Sequence, residues 1–500
     1  MTNKRSAIII GSGVAGMAVA TRLALQGLDV QVYERNAGPG GKLSMFEKDG
    51  FRFDAGPSLF TQPAHIEELF ADAGEPIEAY LQYDPVNIAC KYFFENGKNI
   101  NAFTDNKLFE EELQEKANEP AGNLQQYLSA SQKLYDNVGS VFLNHSLHKR
   151  STWFHKRIFK ALAAVRLPYL FSSLDNYNGT RFKTAEARQI FNRFATYNGS
   201  NPYKAPAMLS LIPHLELNRG VYYSRGGMIS ITNALYQLAL KKGVQFHFNQ
   251  PVDHIIHTEG AAKGVVVNKE NIYADVVVSN ADMYFTWKKL INRADKAARL
   301  LRQERSSSAL IFYWGINRQF DELELHNIFF SKNYPAEFHA IFTKKQLYPD
   351  PTVYINISSK QEASHAPAGK ENWFVMINVP ANSGQNWDQL KQQARKYIIE
   401  KLNRLLGTDI EPLITSETIT DPVAIEAQTG SYMGSLYGSS SNTKMAAFKR
   451  SPNFAPGIKN LYCCGGTVHP GGGIPLCLKS AAITAGIIKK DLSKKSRHLH

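Results

Sequence analysis

The chain has 500 residues, of which 43% are hydrophobic and 20% charged, a composition typical of a globular protein with two or three domains. Its 35 glycines and 22 prolines exclude a collagen-like or low-complexity chain. The four cysteines form neither a disulfide framework nor a CxxC zinc spacing, so we expect a reducing compartment and no metal site, while the net charge of +13 permits a nucleic acid, an anionic cofactor or an anionic membrane surface as partner.

The first 34 residues predict a dinucleotide-binding βαβ unit. A β-rich run precedes Gly11, Gly13 and Gly16, whose spacing is GxGxxG, and a helical pattern and a second strand then lead to Glu34. The first glycine allows the tight turn, the second lets the backbone approach a pyrophosphate, and the third allows close helix packing. Glu34 is expected to accept hydrogen bonds from a ribose diol.

A cleaved secretory signal is the alternative interpretation of this N-terminus. Lys4 and Arg5 precede an apolar run, as in a signal peptide. The three glycines interrupt that run, and the strand, helix and terminal acid are all in register, which favours the dinucleotide site.

Two further glycine-rich stretches follow, GPGGKLS at 38–44 and GFRFDAGPS at 50–58. Glycines in the first stretch would let the chain pass beside phosphates, and Lys42 would neutralise their charge. The stretch ERNAGPGGKLS resembles the extended flavin fingerprint of the amine oxidase and carotenoid desaturase superfamily, and FRFDAGPSLF resembles its desaturase branch. This resemblance implies FAD as cofactor, with further contacts from Arg35, Gly41, Lys42, Gly56, Pro57 and Ser58.

The C-terminal run NLYCCGGTVHPGGGIP, residues 460–475, precedes a predicted small-residue helix over 476–488. A strand, a glycine-rich turn and a helix N-terminus make a backbone site for an anion or for the polar edge of an isoalloxazine ring. The run resembles the HPGxGIP signature of carotenoid desaturases. The resemblance implies FAD contacts at Gly465, Gly466, Gly473 and Ile474.

A third cofactor element is expected from the middle of the chain. Arg225 precedes a Gly-Gly-Met turn and a predicted helix to about residue 242, and residues 243–252 have the pattern of a strand. In the family, the residue matching Val252 contacts the adenine through its backbone. Arg225 either contacts FAD or caps the helix.

The positions of these motifs predict the domain organisation. We expect an α/β fold with a Rossmann-type FAD-binding domain assembled from discontinuous segments, 1–75, 215–285 and 420–500. Segments 76–214 and 286–419 are expected to form an inserted α+β substrate domain. The sequence contains no run of 18 apolar residues, so we expect no membrane-spanning helix.

The stretch 141–171 carries six basic and no acidic residues, interleaved with aromatic and aliphatic ones. A basic amphipathic helix of this kind is typical of an interfacial membrane element, although a solvated basic face has the same pattern. No nucleic-acid-binding motif accompanies the charge, so we expect no nucleic acid partner. The prediction is a cytoplasmic protein associated peripherally with a membrane.

The resemblance as a whole implies a desaturase that removes a hydride and a proton from neighbouring carbons of a hydrophobic carotenoid in a tunnel beside FAD. The run GGTVHPGGGIPLCLKSA resembles the 1-hydroxycarotenoid 3,4-desaturases more than the phytoene desaturases, which remain the nearer alternative. A non-catalytic prenyl-lipid binding protein of the same fold is the alternative from another class.

Several individual side chains keep more than one candidate role. His469, whose ordinary pKa suits proton transfer, is the catalytic candidate, and orientation of its loop is its alternative role. Tyr197 and Tyr203 are candidates for the tunnel wall. Cys463 and Cys464 are expected to be small buried residues rather than a redox pair.

Overall fold

A parallel sheet organises the N-terminal and C-terminal parts of the chain. The structure, a computed structural model, describes residues 4–153, 167–443 and 446–497. All neighbouring strands of this sheet are parallel. In spatial order they are Gln245–His247, Asp29–Tyr33, Ser6–Ile10, Val276–Ser279 and Leu461–Cys463. The sheet therefore draws its strands from three separated parts of the chain, and the predicted α/β class is confirmed.

Three buried helices cover this sheet. Val14–Leu25 lies between Ile229–Lys241 and the last helix, Ile474–Arg497. The first helix begins directly after Gly13, whose extended backbone ends the glycine loop. The last helix is longer at both ends than the predicted 476–488. It starts one residue before Pro475, a residue favoured in a first helical turn, and no glycine or proline stops it after residue 488.

A seven-stranded sheet forms the second large layer. Its neighbouring strands are antiparallel except for the parallel pair of the fifth and sixth. In spatial order the strands are Ile414–Thr420, Ser308–Ile316, Glu371–Val379, Val353–Asn356, His326–Phe329, Ile88–Phe93 and Asn99–Phe103.

The strand Ser308–Ile316 shows why strands of this sheet are continuous apolar runs in the sequence. All nine residues are buried, because both faces are covered. Phe312 and Trp314 pack with the helix Trp387–Leu406, whereas Tyr313 packs on the opposite face with phenylalanines of the hairpin 44–55.

The remaining elements are smaller sheets and helices. The antiparallel sheets contain Ser44–Lys48 with Phe51–Ala55, then Phe60–Thr61, Val221–Ser224 and Tyr83–Pro85, and finally Val252–Thr258, Ala261–Val267 and Glu270–Tyr273. The other α-helices of the described residues are Ala64–Asp72, Asn106–Ala117, Asn123–Leu134, Ser140–Asn144, Arg150–Trp153, Leu167–Phe171, Leu174–Arg181, Ala185–Asn192, Met283–Phe285, Ala294–Leu300, Tyr334–His339 and Pro422–Thr429.

One predicted strand is wrong. The run 243–252 is divided, because Gln245–His247 belongs to the parallel sheet and Val252 begins an antiparallel strand. Between them Asn249 has a φ of 54°, and Pro251 has no N–H to donate to a ladder.

Much of the predicted basic amphipathic helix, residues 154–166, lies outside the described residues. Before that gap, Lys149 pairs with Asp491 at 3.4 Å and lies over the Phe454 ring. At least one of the six basic residues is therefore held by the protein itself. In the ranges that the structure describes, every helix is too short or too polar to cross a membrane.

Candidate active site

One cavity of about 990 Å³ extends from the carboxyl ends of the parallel strands to the seven-stranded sheet. We call the part lined by the glycine-rich segments the nucleotide groove. Most residues predicted to bind the cofactor line this cavity: Gly11, Gly13, Glu34, Arg35, Gly41, Lys42, Gly56, Pro57, Ser58, Val252, Gly465, Gly466, Gly473 and Ile474. Carboxyl ends of parallel strands are where open α/β sheets bind ligands.

The first glycine loop is packed too closely for side chains. Gly11 has a φ of 97° and donates its N–H to Tyr33 O at 2.8 Å. A Cβ at Gly13 would lie 2.8 Å from Asn280 Oδ1, and one at Gly16 would lie 2.1 Å from Gly11 O. Gly16 does not line the cavity; it holds the helix against the loop, as its place in the motif predicted.

Glu34 ties this loop to the second strand. Its Oε2 accepts hydrogen bonds from Ser12 N at 2.8 Å and Ser12 Oγ at 3.0 Å, and its Oε1 accepts one from Asn36 N at 2.9 Å. A carboxylate offers about four acceptor sites, so these three donors leave capacity for a ribose hydroxyl. The buried carboxylate therefore fits the sugar of a dinucleotide.

The second glycine-rich stretch lies against the first. A Cβ at Gly41 would be 3.3 Å from the Cα of Gly13, and one at Gly56 would be 1.8 Å from Lys42 O. The backbone of three segments is thus exposed to the groove with little side-chain bulk. This is the surface that a pyrophosphate requires.

Two cations stand beside the groove, Lys42 half-buried and Arg450 buried. Lys42 Nζ donates to Leu436 O at 2.8 Å. Burial lowers the pKa of Lys42, and the negative charge of Asp282 raises it by a smaller amount. Arg450 is 5% exposed and donates to the carbonyls of Tyr437, at 3.1 Å, and Gly466, at 3.3 Å. Burial lowers the pKa of Arg450 to about 10, so the guanidinium stays charged at neutral pH and attracts an anionic ligand.

Asn280 is a site residue that the sequence motifs did not single out. It follows the strand Val276–Ser279, next to the first strand, and its Nδ2 donates to Cys464 O at 3.2 Å. A Cβ at Gly465 would lie 2.6 Å from this Nδ2. Asn280 therefore joins the N-terminal and C-terminal glycine loops, and its position at a strand end was the available signal.

The rest of the cavity, which we call the apolar chamber, is lined largely by aliphatic and aromatic side chains. Among them are Phe142, Leu143, Leu170, Leu211, Ile212, Leu215, Ile328, Phe374 and Met376. Tyr197 also lines it, whereas Tyr203 does not and packs against Phe338 instead. This lining suits an apolar molecule, and the chamber is continuous with the nucleotide groove.

Arg225 does not belong to this cavity. Its guanidinium is largely exposed and makes two hydrogen bonds to Asp84, at 2.6 and 2.7 Å. The predicted cofactor contact is therefore not supported by the geometry. The neighbouring glycine turn is instead held by Arg52, which donates to Gly226 O at 2.7 Å.

His469 is fully buried and does not line the cavity either. Its Nε2 donates to Phe142 O at 2.9 Å and to His145 O at 3.0 Å. Burial, with a smaller contribution from His148, lowers the pKa of His469 to about 4, so the imidazole is neutral at pH 7. This geometry favours the loop-orienting role over the catalytic one.

The thiols beside the groove are protonated at neutral pH. All four cysteines are free, and burial raises the pKa of Cys463 to about 12 and that of Cys477 to about 11. Within 4–153, 167–443 and 446–497, no group of three or more His, Cys, Asp or Glu residues is placed to hold a metal. Cys463 and Cys464 are small buried residues, as predicted.

Comparison with known proteins places this site in a family. The model of the flavin containing amine oxidoreductases matches residues 14–489. A 1-hydroxycarotenoid 3,4-desaturase from Flavobacterium sp. is 48% identical over 97% of this chain and 99% of its own. A phytoene desaturase from Neurospora crassa is 32% identical over 98% of this chain and 86% of its own.

Solved structures share the fold. An oxidoreductase from Methanosarcina mazei has a TM-score of 0.62 at 15% identity, covering 97% of this chain and all of its own. Putrescine oxidase bound to putrescine has a TM-score of 0.64 at 14% identity, covering 98% of this chain and 99% of its own. The chain therefore belongs to the flavin containing amine oxidoreductase family and, within it, to the carotenoid desaturases, which makes it a flavin-dependent oxidoreductase.

Proposed function

We propose that the protein is an FAD-dependent desaturase that introduces the 3,4 double bond of an acyclic 1-hydroxycarotenoid. The observation that carries this proposal is the continuity of the cavity, in which a groove for a dinucleotide opens into an apolar chamber. The relative from Flavobacterium sp., identical at 48% of positions along almost the whole chain, supports the same substrate class.

The chain's own residues hold and shield the reactants. When bound, FAD would supply the two-electron acceptor for a desaturation, in which loss of a hydride from one substrate carbon and of a proton from its neighbour leaves a carbon–carbon double bond. Glu34 would bind the ribose, and Lys42 and Arg450 would offset negative charge. The chamber excludes water and positions the polyene by apolar contact.

The experiment is expression of the gene in a host that makes a defined precursor. In a host supplying a 1-hydroxylated acyclic carotenoid, we expect pigment with a longer chromophore and a red-shifted absorption. A purified protein without a flavin spectrum, or a host with unchanged pigment, would contradict the proposal.

Phytoene desaturation is the second candidate, supported by the Neurospora crassa relative. A host that supplies only phytoene separates the two functions. The first proposal expects no new chromophore there, whereas the second expects coloured products from phytoene and none from the hydroxylated precursor.

A lipid-binding protein without redox chemistry would not need the groove. Replacing Gly13 with Leu drives a side chain into Asn280 and is expected to abolish flavin retention and desaturation together. Gly38→Ala is the matched control, because a Cβ there meets nothing within 4 Å. Lipid transfer that persists unchanged in the Gly13 variant would favour the binding protein.

We also infer that the protein acts as a peripheral membrane protein on the cytoplasmic side. Both ends of the basic stretch 141–171 border the chamber, since Phe142 and Leu170 line it, and the adjoining Phe171 is 61% exposed. A route from a bilayer into the chamber would lie here. The four free thiols fit a reducing compartment.

Sedimentation with vesicles tests this inference. Vesicles rich in anionic lipid should bind the protein more strongly than neutral vesicles, and Phe171→Glu should weaken binding. Tyr273→Glu, at a 67% exposed position in the strand Glu270–Tyr273, is the control and should leave binding unchanged. Equal binding of all three proteins would contradict the inference.

A further inference from the structure

A compact group of polar side chains interrupts the wall of the apolar chamber. We call it the polar cluster, and all of its members line the cavity: Ser58, Arg193, Tyr197, Glu216, His326 and Tyr354. The ionisable members are deeply buried, with exposures of 7% for Arg193 and 2% for both Glu216 and His326. Placing such groups against an apolar ligand is costly, so the cluster calls for a polar partner on that ligand.

Three members of the cluster bond to one another, while Arg193 Nε is buried and has no partner in the described part of the chain. Arg193 Nη2 donates to Glu216 Oε1 at 2.7 Å, and Arg193 Nη1 donates to Tyr197 Oη at 3.0 Å. Tyr197 Oη in turn donates to Glu216 Oε2. These three side chains form a closed, rigid arrangement and position the neighbouring groups.

His326 also has one nitrogen without a partner, and its tautomer can be assigned from its neighbours. Its Nδ1 lies 3.2 Å from Asn356 Nδ2 and 2.8 Å from Tyr354 Oη. An amide nitrogen only donates, so Nδ1 accepts and the ring proton belongs on Nε2. Burial and the Arg193 charge lower the pKa of His326 to about 3, which keeps the ring neutral.

The Nε2 of His326 is buried and has no hydrogen-bond partner in the described part of the chain. A buried N–H left unpaired costs about 1–3 kcal/mol. His326 lines the cavity but its Nε2 has almost no accessible surface, so a hydroxyl oxygen of a bound molecule becomes the acceptor once the ring turns this N–H toward the chamber.

The cluster lies at the junction of groove and chamber. Tyr354 Oη is 2.7 Å from Ser58 Oγ, and Ser58 follows Gly56 and Pro57 of the nucleotide groove. In a 1-hydroxycarotenoid, three or four single bonds of about 1.5 Å separate the oxygen from carbons 3 and 4, so the hydroxyl stays within roughly 5 Å of the reacting bond. A hydroxyl-binding group must therefore stand near the groove, as His326 does.

We propose that His326 Nε2 donates a hydrogen bond to the substrate hydroxyl and that the polar cluster selects hydroxylated over unhydroxylated carotenoids. His326 is on this account a specificity-determining residue that also sets which carbon–carbon bond faces the cofactor. The inference rests on the proposed function, since it assigns the hydroxyl of that substrate to a named atom.

The test compares two substrates with the purified flavin-loaded protein. They are a 1-hydroxylated acyclic carotenoid and the same carotenoid without the hydroxyl, and kcat and KM are measured for each. Wild type should favour the hydroxylated substrate in kcat/KM by at least about tenfold. His326→Phe, which keeps a ring but removes the donor, should abolish this preference mainly through activity on the hydroxylated substrate.

A conservative variant and a matched control complete the design. His326→Gln presents an amide N–H in a similar place and should restore part of the preference. His365→Phe replaces another buried histidine, one that does not line the cavity, and should leave the preference intact. Should His326→Phe fail to fold or to hold flavin, His326→Gln with the same two substrates still tests the inference, and a preference equal to that of wild type would overturn it.

The outcomes separate this inference from the proposed function. Wild type that is inactive on both substrates would overturn the proposed function and the inference with it. Wild type that desaturates both equally well, or a preference unchanged in His326→Phe, would overturn the inference alone. A shift in the products from 3,4-desaturation to another bond in His326→Phe would support the positioning role.

Discussion

The nucleotide groove and the apolar chamber share one cavity, yet they are built by different means. The groove is shaped by backbone, and Cβ atoms added to Gly13, Gly56 and Gly465 would lie 2.8, 1.8 and 2.6 Å from neighbouring atoms. The chamber is shaped by side chains that come from distant parts of the chain. A change in the groove should therefore affect cofactor retention, whereas a change in the chamber should affect the substrate alone.

The largest effect is expected from Gly56→Val. The new Cβ would meet Lys42 O at 1.8 Å at a φ of 139°, so the hairpin must move and the groove with it. We expect flavin content, measured by absorbance of the purified protein, to fall by at least about tenfold. Gly38→Ala, in open space within the adjoining stretch, should keep its flavin, and a flavin-loaded Gly56→Val protein would contradict the role given to the groove.

Glu34→Ala should weaken flavin binding by about 10- to 100-fold, because it removes a ribose acceptor and leaves Ser12 N without its partner. Titration of the flavin-free protein with FAD measures this effect. Glu75→Ala, at an acid that pairs with Lys241 and Lys242 and does not line the cavity, is the control and should bind FAD normally.

Leu211→Trp should have the opposite effect to the groove variants, since it should impair turnover of the carotenoid and leave flavin binding intact. The larger side chain occupies space in the chamber, so activity on the carotenoid should fall by roughly tenfold while flavin content stays unchanged. Leu240→Trp, at a 40% exposed position of another helix, should affect neither quantity. Flavin loss in the chamber variant would show that the two regions are not independent.

His469 predicts a pH-dependent stability. Its pKa is lowered from 6.5 to about 4, so the folded state binds fewer protons than the unfolded state between these values. The contribution of His469, roughly 3 kcal/mol, is therefore complete above pH 6.5 and is lost as the pH falls towards 4. Chemical unfolding across this range should show a weaker loss in His469→Gln than in wild type.

The same variant tests the catalytic alternative. Because His469 lies outside the cavity lining and the glutamine amide can still donate to Phe142 O, kcat at pH 7 should change less than about threefold. A loss of several orders of magnitude with normal flavin content would restore His469 as a catalytic residue.

The smallest effect is expected from Lys149→Ala. Its pair with Asp491 is 3.4 Å long and about one-third exposed on each side, so the free energy of unfolding should fall by less than about 1 kcal/mol. Vesicle binding should also change little, because this lysine is already paired within the protein. A large loss of vesicle binding would show that Lys149 belongs to the membrane face.

The groove and the chamber also differ in how far their residues can be predicted from the sequence. Glycine spacing is local, so the groove residues from Gly11 to Gly41 and from Gly465 to Ile474 are predictable from the amino-acid sequence alone. A cofactor contact, one of the two roles expected for Arg225, does not fit the geometry, because proximity to a glycine turn does not determine where a long side chain points, and Arg225 pairs with Asp84 instead.

The chamber could not be predicted in this way. His326 and Glu216 are 110 positions apart and carry no local motif, and only the sheet that holds His326–Phe329 brings them to one wall. Asn280 is intermediate, since the end of a parallel strand is a recognisable place for a site residue, whereas its contacts to two glycine loops cannot be recognised from the sequence.

We propose that flavin and carotenoid meet in one cavity, where a hydride passes from the carotenoid to the flavin. Anaerobic mixing of the flavin-loaded protein with a 1-hydroxylated acyclic carotenoid in detergent or vesicles tests it most directly. We expect loss of the oxidised flavin absorbance together with one new carbon–carbon double bond per flavin, seen as a lengthened polyene chromophore. Flavin that stays oxidised while the carotenoid remains unchanged would contradict the account.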